Sequence, residues 1–393
     1  MKILSLNAGS SSMKFQLYEM PEEKVLIAGV FERIGLNNSF YSIKYNNNKI
    51  KKEIQFKNHE EAVSIFLKEL IDLKIIDSLE DIKGIGHRIV HGGDKYCDSV
   101  IINEEVIQDV EKFSTLAPLH NPVNLLGINI IKKILPDSKN VAVFDTAFHQ
   151  TMDKESFIYS VPYEWYKEYG VRRYGFHGTS HKYLSERICE ILGRKDLKVI
   201  TCHLGGGASI TAIKDGKCIE TSMGFTPLSG ITMGTRSGDI DPSIIEYIMQ
   251  KTGKSIKEVM NDLNKKSGVL GISGISSDDR EIEEGIKNND ERCILARKIF
   301  VRRIAAFISQ YNTFLNGADI IIFSAGIGEN SEGVRKEVMN SLSSLGIIID
   351  HDKNKSRGVE TVITSSDSKI SCYIIPTDEE LMIAKETYEL IER

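Results

Sequence analysis

Both halves of the chain open on the same local pattern: an apolar strand, a turn of small residues, and a second apolar strand. The first is "ILSLNAGSSSMKFQLY" and the second is "VITCHLGGGASITAI" at 199–213. The second turn starts at residue 203, 196 positions after Asn7 starts the first, in a chain of 393. A spacing of about half the chain points to a duplicated fold of two domains. Strands are expected at 2–7, 13–19 and 24–33, with a further hairpin at "NNN" (46–48), a helix over 59–74 and a strand into "GIGHRIVHGG". A helix after Pro122 and the buried strand "NVAVFD" (140–145) follow. The second half reads as a helix over 179–192, the strand-turn-strand, a long helix over 290–315, the strand "ADIIIFSAG" and a final helix in "DEELMIAKETYELIER". Alternation of this kind is the signature of an α/β architecture.

Composition narrows the partners. A net charge of −5, with no tract dominated by Lys or Arg, gives nucleic acid nothing to hold. No apolar run reaches the roughly 18 residues of a membrane span, and the first apolar stretch is too short for a signal peptide. The six cysteines are scattered, with no C-x-x-C pair, which argues against a disulfide framework or structural zinc and fits the cytoplasm.

Three loops follow apolar strands and are rich in Gly, Ser or Asn: "NAGSSSMK", "HLGGGAS" and "SAGIGENS". Backbone N–H groups in such turns converge on anions, and glycine lets the backbone approach closely. None is a Walker A loop: at Gly253-Lys254-Ser255 the leading glycine position holds Ile248. None is a G-x-G-x-x-G turn opening a helix, so a dinucleotide fold is not supported. Phosphate would instead be held at β-hairpin tips. Asn7, Ser10, Ser12 and Lys14 make the first turn a cluster of donors, although Lys14 alone also reads as a solvated strand residue.

Arg88 in "GHRIVHGG" and Arg236 in "MGTRSGDIDP" lie among glycines and apolar residues, outside any helical pattern, which favours anion contact through guanidinium forks. Arg280 follows two acidic residues, so a local ion pair is an equal alternative. The pairs His87/His91 and His177/His181 have i, i+4 spacing but lack the glutamate of H-E-x-x-H, which argues against metal. "FHGTSHKYL" reads as a loop entering a helix capped by Thr179 or Ser180, with His177 outside it, either structural or donating into a cleft. Asp145 ends a buried strand, where α/β sheets place their ligands. Glu379 opens the last helix, and the residues alone favour reading it as a helix-dipole carboxylate.

The motifs "NAGSSSMKF", "GHRIVHGG", "APLHNP", "FDTAFHQTM", "RRYGFHGTSHKY", "MGFTPLSGITMGTRSGDIDP", "NKKSGVLGISGISSD" and "FSAGIGENS", in this order along the chain, resemble the acetate kinase family. The resemblance implies two domains of duplicated actin-like (ribonuclease-H-like) fold, with mixed sheets flanked by helices and nucleotide in the interdomain cleft. It implies a first domain of 1–149 plus 380–393, and a second of 150–379 carrying the adenine site and a homodimer interface. It implies reversible phosphoryl transfer from ATP to acetate with Mg²⁺, or Mn²⁺, and a homodimer with only small-molecule substrates. Arg88 and Arg236 would bind the phosphoryl group and the carboxylate, His177 would hydrogen-bond the phosphoryl oxygens, and Asp145 would serve magnesium and positioning. Asn7 and Glu379 would serve the metal. Val90, Leu119, Phe176 and Pro227 would line a methyl pocket. Nucleotide would contact Asn7, Ser12, Lys14, His203, Leu204, Gly205, Gly206 and Gly207. Its adenine end would meet Asp278, Asp279, Arg280, Gly326, Ile327, Gly328 and Asn330. One position departs: the family usually has Asn where this chain has Gly206, and a triple-glycine turn is shared with butyrate kinases, which keeps propionate or butyrate open. A sugar kinase using Asp145 as base, or a nucleotide-binding filament protein, are further alternatives.

Overall fold

The strands Lys2–Ala8, Lys198–Leu204 and Ala208–Lys214 are buried along nearly their whole length, whereas Ser12–Glu19 buries mainly alternate residues and exposes Lys14. All four lie inside a sheet rather than at its edge. In the computed structural model, which describes residues 1–393, the strands are β1 Lys2–Ala8, β2 Ser12–Glu19, β3 Lys24–Glu32, β4 Phe40–Tyr45, β5 Asn48–Glu53, β6 Ile82–Ile89, β7 Val100–Ile101 and β8 Lys139–Phe144. They form one sheet in the order β5-β4-β3-β2-β1-β6-β8-β7. The second sheet comprises β9 Lys198–Leu204, β10 Ala208–Lys214, β11 Lys217–Thr221, β12 Ile320–Ser324, β13 Thr361–Val362 and β14 Ser371–Ile374, in the order β11-β10-β9-β12-β14-β13.

The two sheets share a core arrangement. In each, three consecutive antiparallel strands form a meander (β1–β3, β9–β11), and its first strand then pairs in parallel with a later one (β6, β12), which carries a second parallel neighbour (β8, β14). The duplication inferred from two turns is therefore a duplication of topology. Extra strands decorate the edges. The β4–β5 hairpin turns at Asn46 and Asn47, both at positive φ (44° and 62°), the pair of left-handed residues that a two-residue hairpin turn requires. Lys49, Lys51 and Lys52 on β5 keep that edge from pairing with another chain.

By contact the chain divides into two units, Met1–Gln150 with Asp378–Arg393, and Thr151–Thr377. The second stretch of the first unit starts at Asp378, whose side chain caps the last helix, Glu379–Glu392, accepting from the Leu381 N–H at 2.9 Å. In the first unit, Phe15, Phe31, Phe66, Leu70 and Ile131 belong to a buried cluster joining the sheet to the helices His59–Asp72 and Asn121–Ile134. The final helix packs along β1, β6 and β8. Gly86 is needed for that approach: a Cβ there would lie 2.3 Å from Thr387 Oγ1 and 2.4 Å from Ile383 Cγ2. In the second unit the helices Gly178–Leu192 and Glu291–Phe314 pack on β9, the latter on β10 as well.

Two expectations about local structure are corrected. The helix expected from 179 begins at Gly178, and His177 itself is its N-cap, at φ 58° and without a side-chain cap bond. The third small-residue turn is a short helix, Ala325–Asn330, entered through Ala325 at φ 61°. Six residues are too few to show a helical period.

Candidate active site

In the first unit the candidate residues sit at strand ends. Asn7 and Lys14 are cross-strand partners on β1 and β2, and the Gly9 N–H donates to the Ser12 carbonyl at 2.8 Å to close the turn between them. His59 fixes this turn from outside, its Nε2 lying 2.8 Å from the Gly9 carbonyl; since a carbonyl only accepts, that nitrogen carries the proton. Asn124 ties the turn to the neighbouring strand, donating to the Ala8 carbonyl and accepting from the Val90 N–H, both at 3.1 Å. Asn121 clamps the backbone of His91 in the same two-sided way, at 3.1 and 3.0 Å. These three residues carried no role in the sequence reading. For the asparagines the available signal was i, i+3 spacing at the start of a helix.

Arg88 near the end of β6 and Asp145 just beyond β8 meet in a two-pronged ion pair, Nε to Oδ1 at 2.9 Å and Nη2 to Oδ2 at 2.6 Å. Burial alone would lower the Arg88 pKa, but the charges of Asp145 and Glu379 outweigh it and hold the guanidinium firmly protonated. Both Asp145 oxygens are engaged, so this carboxylate orients Arg88, whose Nη1 remains for other acceptors. Burial pushes the Glu379 carboxyl up, with Arg88 and Lys14 pulling the other way and Asp145 reinforcing it. Of the apolar candidates in this unit, Val90 is buried and Leu119 is 63% exposed.

In the second unit, β9 and β10 pair down to Leu204 opposite Ala208, leaving Gly205, Gly206 and Gly207 as the tip. The Gly205 N–H closes on the Gly207 carbonyl at 3.1 Å, and the Gly234 N–H ties the "MGTR" loop to the Gly206 carbonyl at 3.2 Å. A side chain at Gly206 would meet nothing within 4 Å, so the turn does not need glycine there for space. Gly207 differs: a Cβ added to it would lie 3.4 Å from both His177 Nε2 and Arg236 Nη1. A histidine edge and a guanidinium thus converge on the glycine turn. Phe176 is buried beside His177 in sequence, and the Pro227 carbonyl accepts from Arg236 Nη1 at 3.2 Å.

Arg236 has only neutral partners, that carbonyl and the Met233 sulfur at 3.7 Å, and burial alone lowers its pKa. It differs in this from Arg88. His177 is held by Ser209 Oγ, 2.8 Å from its Nδ1, and stacks on His203 with ring centroids 4.2 Å apart. Ser209 and Thr201, which continue this network through His181, were missed in the sequence, where His181 stood out only as the i, i+4 partner of His177. A buried hydroxyl in an apolar strand such as "ASITAI" was the one available sign.

The expected adenine residues fall on two helix starts. Asp278 caps the helix Asp279–Lys287, and Arg280 folds back on it in a two-pronged pair at 3.0 and 2.6 Å. Arg280 thus forms the local ion pair, on an exposed side chain. Asp279 bonds the buried Arg297 at 2.8 Å. Gly326, Ile327, Gly328 and Asn330 lie on the short helix after β12, where Asn330 Nδ2 donates to the Gly326 carbonyl at 3.0 Å.

Two mixed α/β units of one strand order, each presenting a small-residue turn at its strand tips, give the chain a duplicated two-domain fold. A model of the Acetokinase family matches residues 2–385. The chain is 53% identical over 391 residues to the acetate kinase of Bacillus subtilis (strain 168), covering 99% of each. It superposes on the crystal structure of Porphyromonas gingivalis acetate kinase with a TM-score of 0.94, at 46% identity and 99% coverage of both chains. A propionate kinase from Francisella tularensis gives the same TM-score at 44% identity and the same coverage. The chain belongs to the acetokinase family.

Proposed function

We propose that this chain transfers the γ-phosphoryl group of ATP to acetate, reversibly and in line, giving acetyl phosphate and ADP. The carrying observation is Arg236, a largely buried guanidinium with neutral partners only, set beside His177 over the glycine turn. A cation desolvated without a counterion favours an incoming anion.

Acetate is ionised near pH 7, its pKa being about 4–5 by analogy with Glu, so no general base is needed. One carboxylate oxygen bonds to the γ-phosphorus while the bond from phosphorus to the bridging oxygen breaks, and that electron pair leaves on ADP. Arg88, oriented by Asp145, and Arg236 hold the carboxylate and the phosphoryl group. His177 donates a hydrogen bond to the equatorial oxygens, where charge spreads in the transition state. Asn7, Ser12, Lys14 and the residues from His203 to Gly207 hold the nucleotide phosphates. Asp278, Asp279, Arg280, Gly326, Ile327, Gly328 and Asn330 surround adenine, with Arg280 acting from its pair with Asp278. Val90, Leu119, Phe176 and Pro227 contact the methyl group.

No group of three or more His, Cys, Asp or Glu residues is arranged to hold a metal. With Asp145 committed to Arg88, Glu379 and Asn7 remain. That donor set fits Mg²⁺, or Mn²⁺, arriving on the nucleotide, since Mg²⁺ keeps waters and takes one or two carboxylates plus phosphate oxygens. When bound, the ion neutralises phosphate charge.

A homodimer through the second unit is part of this reading. The helices Tyr163–Tyr169 and Ser243–Thr252 bury none of their residues, yet carry Tyr163, Trp165, Ile244 and Tyr247. A cytoplasmic setting is part of this reading too, suggested by six scattered cysteines without a C-x-x-C pair.

The test is acceptor dependence of ADP release. Release should require acetate and ignore glycerol and glucose; release driven by either sugar or polyol, with acetate inert, would overturn the proposal. Propionate is the second reading, favoured by the likeness to a propionate kinase, and one methylene discriminates by only about 10–200-fold.

A further inference from the structure

Three side chains of the second unit form a continuous hydrogen-bonded chain behind His177. Ser209 Oγ lies 2.8 Å from His177 Nδ1 and 2.7 Å from His181 Nε2, and His181 Nδ1 lies 2.7 Å from Thr201 Oγ1. Ser209, His181 and Thr201 are all 0% exposed. A hydroxyl has one proton and a neutral imidazole has one, so the chain must run in a single direction.

The far end sets that direction. Thr201 can send its proton to His181 Nδ1 at 2.7 Å, or to the Thr211 carbonyl at 3.5 Å, the outer limit of a hydrogen bond. The shorter bond makes His181 Nδ1 an acceptor and puts that ring's proton on Nε2. His181 Nε2–H then donates to Ser209 Oγ, and Ser209 has its own proton left for His177 Nδ1. His177 consequently carries its proton on Nε2, the nitrogen that faces the glycine turn at Gly207. Run the other way, the chain would leave a neutral His177 presenting a lone pair there, which repels phosphoryl oxygens.

We propose that Ser209 is a positioning residue: with His181 and Thr201 it forms a hydroxyl–imidazole chain that holds neutral His177 as the Nε2–H tautomer. The proposal rests on the reading that His177 serves the transferred phosphoryl group. The His177 backbone, locked in the left-handed region at φ 58°, and its stacking on His203 fix where the ring sits. The chain fixes which nitrogen donates.

Long-range ¹H–¹⁵N correlation spectra of the free ¹⁵N-labelled protein, with His177 assigned by its loss in His177→Gln, read the tautomer directly. Wild type should show a protonated Nε2 and a bare Nδ1. Ser209→Ala should give a mixture of tautomers and lower kcat about 10- to 100-fold, short of the 10²–10³ for deleting a transition-state donor outright. KM for acetate and ATP should change less than kcat, because the His177 hydrogen bond strengthens where charge spreads over the phosphoryl oxygens in the transition state. Should Ser209→Ala fail to fold, Thr201→Val removes the terminal donor at nearly constant volume and should shift the same equilibrium. Protonation at Nδ1 in wild type would overturn the proposal. So would a fall in kcat with the tautomer unchanged, since the loss would then be one of packing. Wild type inert toward acetate would overturn the kinase reading and leave the tautomer assignment standing.

Discussion

Arg236 and Arg88 show how one residue type is set in two different environments by its partners. Arg88 is pre-oriented by a carboxylate, whereas Arg236 is left with neutral acceptors. Arg236→Ala should therefore lower kcat by roughly 10³–10⁵, as for other arginines at transferring phosphoryl groups. Arg236→Lys should not restore it, because a point charge lacks the fork; turnover of Arg236→Ala within threefold of wild type would contradict the role. The arginines were legible because glycine and apolar neighbours set them apart from solvated ones. Ser209 was not, because a serine in a strand looks like ordinary alternation until its burial is known. A separate residue-scale effect concerns His87, whose ring is buried on β6 with Nε2 2.7 Å from Asn140 Oδ1, its pKa lowered to about 4 by burial. The unfolded chain binds a proton near pH 6.5 and the folded one does not, so this stability is fully present above 6.5 and is lost as pH falls toward 4. The window amounts to about 3 kcal/mol. Urea midpoints at pH 7.5 and 5 should fall less for His87→Gln than for wild type. An equal fall would contradict the assignment. His91, lowered to about 4 likewise, leaves some slope in the variant.

At the scale of elements, strand-turn-strand segments were readable because apolar strands and small-residue turns are local signals. The helix at Ala325–Asn330 was not, being shorter than two turns. Nor was the start at His177, since nothing in "FHGTSHKYL" shows a left-handed histidine. The C-terminal helix depends on β6 in a way its own sequence does not reveal. With Ile383 and Thr387 lying over Gly86, the substitution Gly86→Ala should cost roughly 1–3 kcal/mol through overpacking. Because Glu379 and its cap Asp378 start this helix, the same variant should also lose turnover. Thermal denaturation together with the acetate assay checks both, and an unchanged melting temperature would contradict the packing argument.

For the whole molecule, the duplication seen as two turns 196 residues apart became two sheets with a common strand order, so the half-chain spacing was the most informative single number in the sequence. The proposed dimer belongs to this scale. Sedimentation should give twice 44.1 kDa, and Tyr247→Glu should shift it to the monomer, with a red shift in emission from Trp165, the single tryptophan. A wild-type monomer at micromolar concentration would contradict it. The central claim is the reaction itself, and trapping the acyl phosphate with hydroxylamine tests it most directly. With ATP and Mg²⁺, acetate should give strong acyl hydroxamate, propionate a weaker signal and butyrate little. Preference for butyrate would make Gly206 the deciding residue, and no hydroxamate from any acid would contradict the assigned chemistry.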